Sequence, residues 1–372
     1  MQIQILQLFP TDGSSLQEYL SLFFYALFFV YMIFGQTIQV RRILYGISGS
    51  LNRIQIARDK ARKEVSDYIQ KNGYKGDPSK QIDNFIEYFT LSPVSLDPAG
   101  IMKKIEYLVK VRDERMREEV KKMLPDKDHI IISVVENLLG TSMALNFYFK
   151  VVRHYYLLGK KGNNIYLLVQ LQMILPDLLR EVEAEVSSIE PLKSVQPVGD
   201  GIGAMVAGKL MLNSEKRVIA KDTVMAQVEY KNRNLYVIKA EGPAGNVGEV
   251  GTALEYLIKQ YGLKPSAIMM IDAAQKLEGE VTGAIAEGIG AIIGGIGVDK
   301  YKIEEVASDM KVPLYAIAIM QSLGEAISAM PKEVAEAAPR VQERLSGLIE
   351  SKTKEGDSVI VIGVGNTLGV GQ

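Results

Sequence analysis

The residues with the most chemical potential are two aspartates and a group of glycines in the C-terminal half of the chain. Asp272 ends an apolar run in MMIDAAQ, where a carboxylate can reach a ligand or cap a turn. Asp200, in VGDGIGAMVAGKL, stands just before a helical pattern, so a ligand contact and an N-cap both suit it. Gly242, Gly245, Gly248 and Gly251, in EGPAGNVGEVG, follow a β-type run and precede a helical one, an arrangement whose free N–H groups can hold an anion. Their spacing matches neither the dinucleotide fingerprint nor a Walker loop, so a tight structural connection is the favoured explanation over a phosphate site. Near the C-terminus, VIVIGVGNT carries Gly363, Gly365 and Asn366, whose amide can serve a turn or donate into a pocket.

Composition narrows the chemistry. The 372 residues contain no Cys, which removes thiolate metal sites, cysteine nucleophiles and disulfide frameworks. The two histidines, His129 and His154, lie in the helical middle of the chain, so no His-based site is available in the C-terminal half. His154, among aromatic neighbours and without a ligand partner at helical spacing, reads as structural. No metal and no cofactor are expected. Forty-three Lys and Arg against 44 Asp and Glu leave a formal charge of -1, which gives no global pull toward nucleic acid.

The elements around the acids read as an α/β domain over 191–372. Val224–Tyr230 and Asn234–Ala240 form paired strands, and a helix follows near Val250–Tyr261. The apolar strands Ala267–Ile271, Pro313–Ile319 and Ser358–Ile362 alternate with a Gly-rich stretch to Gly297 and with helices near Ile303–Met310 and within Ser322–Ser351. Short apolar strands separated by helices predict a three-layer domain with a mostly parallel sheet, whose ligands sit beyond the strands' carboxyl ends.

Upstream, Tyr19–Val40 holds no charged residue and Leu22–Phe34 is almost continuously apolar. Roughly 20 such residues cross the ~30 Å hydrocarbon core. Residues 1–20 contain Asp12 and Glu18 but no Lys or Arg, unlike a cleaved leader. Arg41, Arg42, Arg53 and Arg58 follow the run, so the positive-inside bias predicts a single-pass anchor over 1–40 in the cell membrane, with the N-terminus outside and the rest cytoplasmic. Leu44, Ile47, Leu51, Ile54, Arg58, Ala61, Val65 and Tyr68 form a heptad seam over a stalk at 41–72, suited to self-association or to packing on the chain's own helices. Residues 73–190 read as an all-α domain with breaks at Ser92-Pro93, Pro125-Asp126 and Gly159–Asn164, and with helix starts at Asp97-Pro98 and Asp126.

The stretch MIDAAQ, followed by GIGAIIGGIGVDKYKIEEVASDMKVPLYAIAI, resembles the core of the bacterial spore germination protease. That protease is similar in fold to the hydrogenase maturation proteases, which open with a strand, a G-x-G-N turn and a D-G-x-G helix start. Here the two pieces are separated, at Val359–Thr367 and Asp200–Gly203, so the resemblance implies a circular permutant over about Val198–Gln372. It also implies an aspartic-type site at Asp200 and Asp272; the candidate ligand-binding loops at the strand ends hold Gly201, Gly203, Gly242, Gly245, Gly248, Gly363, Gly365 and Asn366. Two carboxylates held close do not readily both ionise, so one can polarise a peptide carbonyl while the other activates water. As a whole the chain resembles an archaeal membrane-anchored family described only as a domain of unknown function. The functions expected are therefore a membrane-anchored aspartic-type peptidase or related hydrolase, or a non-enzymatic membrane scaffold or ligand-binding protein. The expected partners are the lipid bilayer, a second copy through the stalk, and a protein or peptide substrate, without nucleic acid.

Overall fold

A computed structural model describes residues 16–87, 98–292 and 298–371. The N-terminal tail before Leu16, the break at Ser92-Pro93, Asp97 and residues 293–297 of the Gly-rich stretch lie outside the described residues.

The N-terminal and middle parts are helical: α1 (Leu16–Lys71), α2 (Ser79–Ile86), α3 (Pro98–Met123), α4 (His129–Gly162) and α5 (Ile165–Lys193). Helix α4 begins under Asp128, whose Oδ1 accepts the N–H of Ile131 at 3.0 Å. The capping aspartate is thus Asp128 and not Asp126. Helix α5 begins under Asn164, whose Oδ1 accepts from Leu167 at 3.2 Å.

Two compact units divide the chain, Met1–Gln55 with Tyr148–Leu179, and Ile56–Phe147 with Arg180–Gln372. In the first, every residue from Tyr19 to Met32 is exposed, whereas Val40, Ile47, Ile54, Val152, Leu168, Leu171 and Leu175 are buried. In the second, Ala61, Val65 and Ile69 of α1 are also buried within the single chain. The seam is therefore covered by the chain's own packing over much of its length.

After α5 come a short 3-10 turn (Gly199–Gly201), α6 (Ile202–Leu210), β1 (Lys216–Ala220), β2 (Thr223–Tyr230), β3 (Arg233–Ala240), α7 (Val250–Glu255, with a π turn to Gln260), β4 (Ala267–Gln275), β5 (Ile285–Ile289), α8 (Val298–Asp309), β6 (Leu314–Gln321), α9 (Leu323–Ile327), α10 (Lys332–Ala335), α11 (Ala337–Lys352) and β7 (Ser358–Gly363). The seven strands form one sheet in the order β1-β2-β3-β7-β4-β6-β5. The central run β3-β7-β4-β6 is parallel, but β1, β2 and β5 are attached antiparallel, so the sheet is mixed.

Side-chain alternation divides the core between the two faces of the sheet. Ile271, Val237, Ile317 and Val361 pack with Ile202 and Val206 of α6 and with Val341 and Leu345 of α11. Ile268, Met270, Ile238 and Ile362 pack with Ala253 and Leu254 of α7 and with Ile303 and Val306 of α8. Strands buried on both faces explain the nearly continuous apolar runs at 267–271 and 359–362.

Candidate functional site

The site lies at the carboxyl ends of β4 and β7. These strands pair in register up to Ile271 opposite Gly363, and the Val364 N–H donates to Ile271 O at 2.9 Å. Beyond that point the chain turns, and the Asn366 N–H donates to Asp200 Oδ2 at 2.8 Å. Asn366 Oδ1 accepts from the Leu368 N–H at 2.8 Å, so its side chain shapes the turn.

The two Gly-bearing segments are pressed together. Gly365 has φ +130°, and a Cβ there would stand 1.9 Å from Asp200 O. Cβ atoms on Gly201, Gly203 and Gly363 would likewise meet backbone oxygens of Asn366, Val364 and Gly203, at 2.6, 2.3 and 2.3 Å. These glycines allow the contact that brings Asp200 onto the strand ends.

Asp272, the sixth residue of β4, is 1 % exposed, and its Oδ2 is met by Lys300 Nζ. Burial pushes its carboxyl up to about 7; the Lys300 ammonium opposes that rise and the Asp200 charge adds to it. Asp200 keeps part of its surface open, yet burial of the carboxyl raises its pKa too, against the Asn366 N–H and the Lys300 charge. The structure thus places Asp200, Asp272 and Asn366 at the same strand ends and adds Lys300, paired with Asp272 and within reach of Asp200 by charge.

The loop carrying Gly242, Gly245 and Gly248 has a different character. A Cβ on Gly242 would stand 1.8 Å from Val370 O, Gly245 lies against the Asn137 amide, and Gly248 has φ +64° against Asp222 O. Asn137 Nδ2 donates to Gly245 O at 3.1 Å. Asp299 Oδ2 accepts the Gly251 N–H at 3.0 Å and Thr223 Oγ1 accepts the Glu249 N–H at 2.7 Å. An internal carboxylate therefore takes the position at the start of α7 that an anionic ligand would need. Burial raises Asp299 to about 6 despite the N–H donors.

Two residues near the acids were not singled out from sequence. Lys300 follows the Gly-rich stretch in GVDKY, where only its adjacency to Asp299 at a helix start marks it. Gln321, the last residue of β6, is 1 % exposed, and neither side-chain amide atom has a hydrogen-bond partner. A Cβ on Gly199 would lie 2.4 Å from its Oε1, which puts the carboxamide against the segment that carries Asp200. Elsewhere in the second unit a cavity of about 100 Å³ is lined by Gln81, Asn84, Phe85, Arg112, Arg115 and Met116, among others. Among the described residues no three His, Asp or Glu side chains gather as a metal set.

Helical N-terminal and middle parts followed by a seven-stranded mixed-sheet domain, with an Asp-Lys-Asp cluster at the strand ends, define the class of protein. Residues 21–195 match the family model described as "Protein of unknown function (DUF1512) N-terminal domain", and residues 198–371 match "Domain of unknown function (DUF1512) C-terminal". The chain therefore belongs to the DUF1512 family. Comparison with curated proteins gives no match.

Proposed function

We propose that this protein is an aspartic-type hydrolase acting on peptide bonds, tethered to a membrane by the first part of α1. The observation that carries the catalytic reading is the placement of Asp200 and Asp272 at one strand end, with Asp272 within reach of the Asp200 charge and both acids within reach of the Lys300 charge. A carboxyl group with a pKa of about 7 is suited to exchange a proton at neutral pH. In this reading Asp272 in its acid form donates to the peptide carbonyl oxygen while Asp200 takes a proton from the attacking water. The proton on Asp200 then passes to the leaving amine as the C–N bond breaks. Lys300, whose charge opposes the rise of both carboxyls, offers positive charge where the tetrahedral oxyanion develops.

The tether reading rests on exposure. Thirteen large apolar or aromatic side chains between Tyr19 and Phe34 are exposed, and a helix apolar on all sides fits a bilayer better than water. The arms Tyr19–Met32 and Thr37–Lys71 together meet the length and hydropathy of a span. Helix α4 meets the same criterion at a mean hydropathy of 1.5, but 61% of its apolar window is buried, as in a core helix. A tethered domain meets membrane-associated substrates at raised effective concentration.

A second reading is favoured by the burial of the Lys300–Asp272 pair: a non-enzymatic scaffold in which the pair fastens α8 to the sheet. Cleavage of candidate membrane-protein substrates by wild type, Asp200→Asn and Asp272→Asn separates the two. Loss of cleavage in both variants, with folding intact, supports the hydrolase; equal cleavage in all three leaves the acids structural.

A further inference from the structure

The first compact unit presents a surface that the acid cluster does not use. Residues Tyr148–Gly162 of α4 and Ile165–Leu179 of α5 form a helical hairpin about Asn163 and Asn164. Val152, Leu168, Leu171 and Leu175 on one side are buried. On the other side Tyr155, Leu157, Leu158, Tyr166, Met173 and Ile174 are exposed, Tyr166 by 80% and Met173 by 72%. This is a second apolar surface in the unit that contains the exposed part of α1.

Charge indicates what covers it. From Asn137 to Pro176 the sequence contains no Asp or Glu, while the hairpin carries Lys150, Arg153, Lys160 and Lys161. Arg153, Lys160 and Lys161 are exposed. The hairpin's one acid, Asp177, lies at the far end of α5 from the tip, and apolar and tyrosine side chains beside a basic tip are the composition of a surface that rests in an anionic lipid interface, where apolar groups enter the acyl boundary and lysines meet phosphates. A protein partner would more often be matched by charges of both signs around an apolar centre.

The hairpin and the exposed part of α1 belong to one compact unit, which the arms of the hairpin leave at Tyr148 and Leu179 and α1 leaves at Gln55. The buried stripe of α1 in that unit begins at Val40, beside Arg41 and Arg42.

We propose that the α4–α5 hairpin tip is a second bilayer contact, lying in the anionic inner surface with Leu157, Leu158 and Tyr166 at headgroup depth and Lys160 and Lys161 among the lipid phosphates. The proposal rests on the reading of α1 as a span for its orientation. It gives the protein two attachment points, which restricts rotation of the tethered domain.

The absence of native Cys allows single labels in the full-length chain. A fluorophore is attached at Tyr166→Cys or Met173→Cys, with Phe28→Cys reporting the anchor and Leu277→Cys in the second unit as reference. The chain is reconstituted in vesicles of phosphatidylglycerol and phosphatidylcholine carrying spin-labelled lipid as quencher, with the label at headgroup depth to read 166 and 173 and, in a parallel preparation, deep in the acyl chain to read 28. Quenching at 166 and 173 at least threefold above the reference, reduced by Lys160→Glu with Lys161→Glu, supports the proposal whatever position 28 reports. Quenching at 28 with 166 and 173 at the reference level overturns the hairpin contact and leaves the anchor standing. No quenching at 28 overturns the anchor reading on its own. Labels at 166 and 173 that are shielded from aqueous iodide yet untouched by lipid quencher reveal a protein or second-copy cover, and also overturn the proposal.

Discussion

Two Gly-rich strand ends of the same sheet differ in what fills them. After β3, the loop from Gly242 to Gly251 is closed: Asp299 takes its helix N–H group, Thr223 another and Asn137 a carbonyl. After β7, the turn from Gly363 to Asn366 grips Asp200 and leaves two carboxylates and an ammonium sharing a buried position. Adjacent residues at the start of α8 serve the two places, Asp299 closing one and Lys300 charging the other. Glycine content marks close backbone approach in both loops, whereas the proposed chemistry rests on titratable groups that oppose one another without full neutralisation.

The largest expected effect breaks the comparison at its centre. On the proposed hydrolase reading, Asp272→Asn and Asp200→Asn are each expected to lower kcat/KM for peptide cleavage by about 10²–10⁴-fold, while Gly245→Ala is expected to leave kcat within a few fold, as read by steady-state kinetics beside the acids. If the Gly245 change abolishes turnover as fully as the acid changes, the division of roles between the loops is wrong.

Closure of the first loop is tested by stability. Asp299→Ala leaves the Gly251 N–H without its acceptor and is expected to cost about 1–3 kcal/mol in denaturant unfolding. Asp299→Asn, which keeps an acceptor, is expected to cost less. Equal losses would show that the carboxylate charge and not the hydrogen bond closes the loop.

Lys239, beside Gly363 in the sheet register, gives a control at a buried group that the proposed chemistry does not use. Its side chain has no exposed surface, donates to Ala240 O at 2.9 Å, and is pushed down to about 8 by burial. Between about pH 8 and the ordinary lysine value the unfolded chain binds the proton and the folded one does not, so stability rises with pH through that window. Lys239→Met is expected to stabilise the fold at pH 7 by roughly 1–3 kcal/mol and to remove that rise, as measured by unfolding at a series of pH values. Asp272 has the opposite sign. Its raised folded-state pKa gives stability that is full below the unfolded carboxylate value and lost as pH climbs to about 7.

The smallest effect sharpens the edge of the site. Replacing the orphan carboxamide in Gln321→Met is expected to change stability by less than about 1 kcal/mol, since an unsatisfied buried amide is exchanged for apolar volume. A rise in KM at unchanged kcat would instead assign Gln321 to substrate binding.

Much of this arrangement was legible in the sequence. The strands 267–275 and 358–363 are apolar because both their faces are buried, and β2 with β3 form an antiparallel pair joined by a polar turn. Strands β1 and β5 were missed because KRVIA and IAEGI are edge segments whose exposed residues break the alternation. Their antiparallel attachment is why the sheet is mixed where a mostly parallel one was expected. The meeting of Asp200 with the Asn366 turn was expected from the two separated motifs. Lys300 was not foreseeable, because its reach depends on where α8 docks, and no local pattern specifies that. Likewise the heptad seam could not say whether its cover is a second copy or the chain itself; Ile47, Ile54 and Val65 are buried within one chain.

The account rests on Asp200, Asp272 and Lys300 forming one coupled group. Carbon-13 NMR of the aspartate carboxyls, with Asp272 assigned by the Asp272→Asn spectrum, measures that directly. The wild type is expected to show Asp272 titrating near 7, moving higher in Lys300→Met as the ammonium is lost and lower in Asp200→Asn as the opposing charge is lost. An Asp272 carboxyl that titrates in the ordinary carboxylate range and ignores both substitutions would contradict the coupled site.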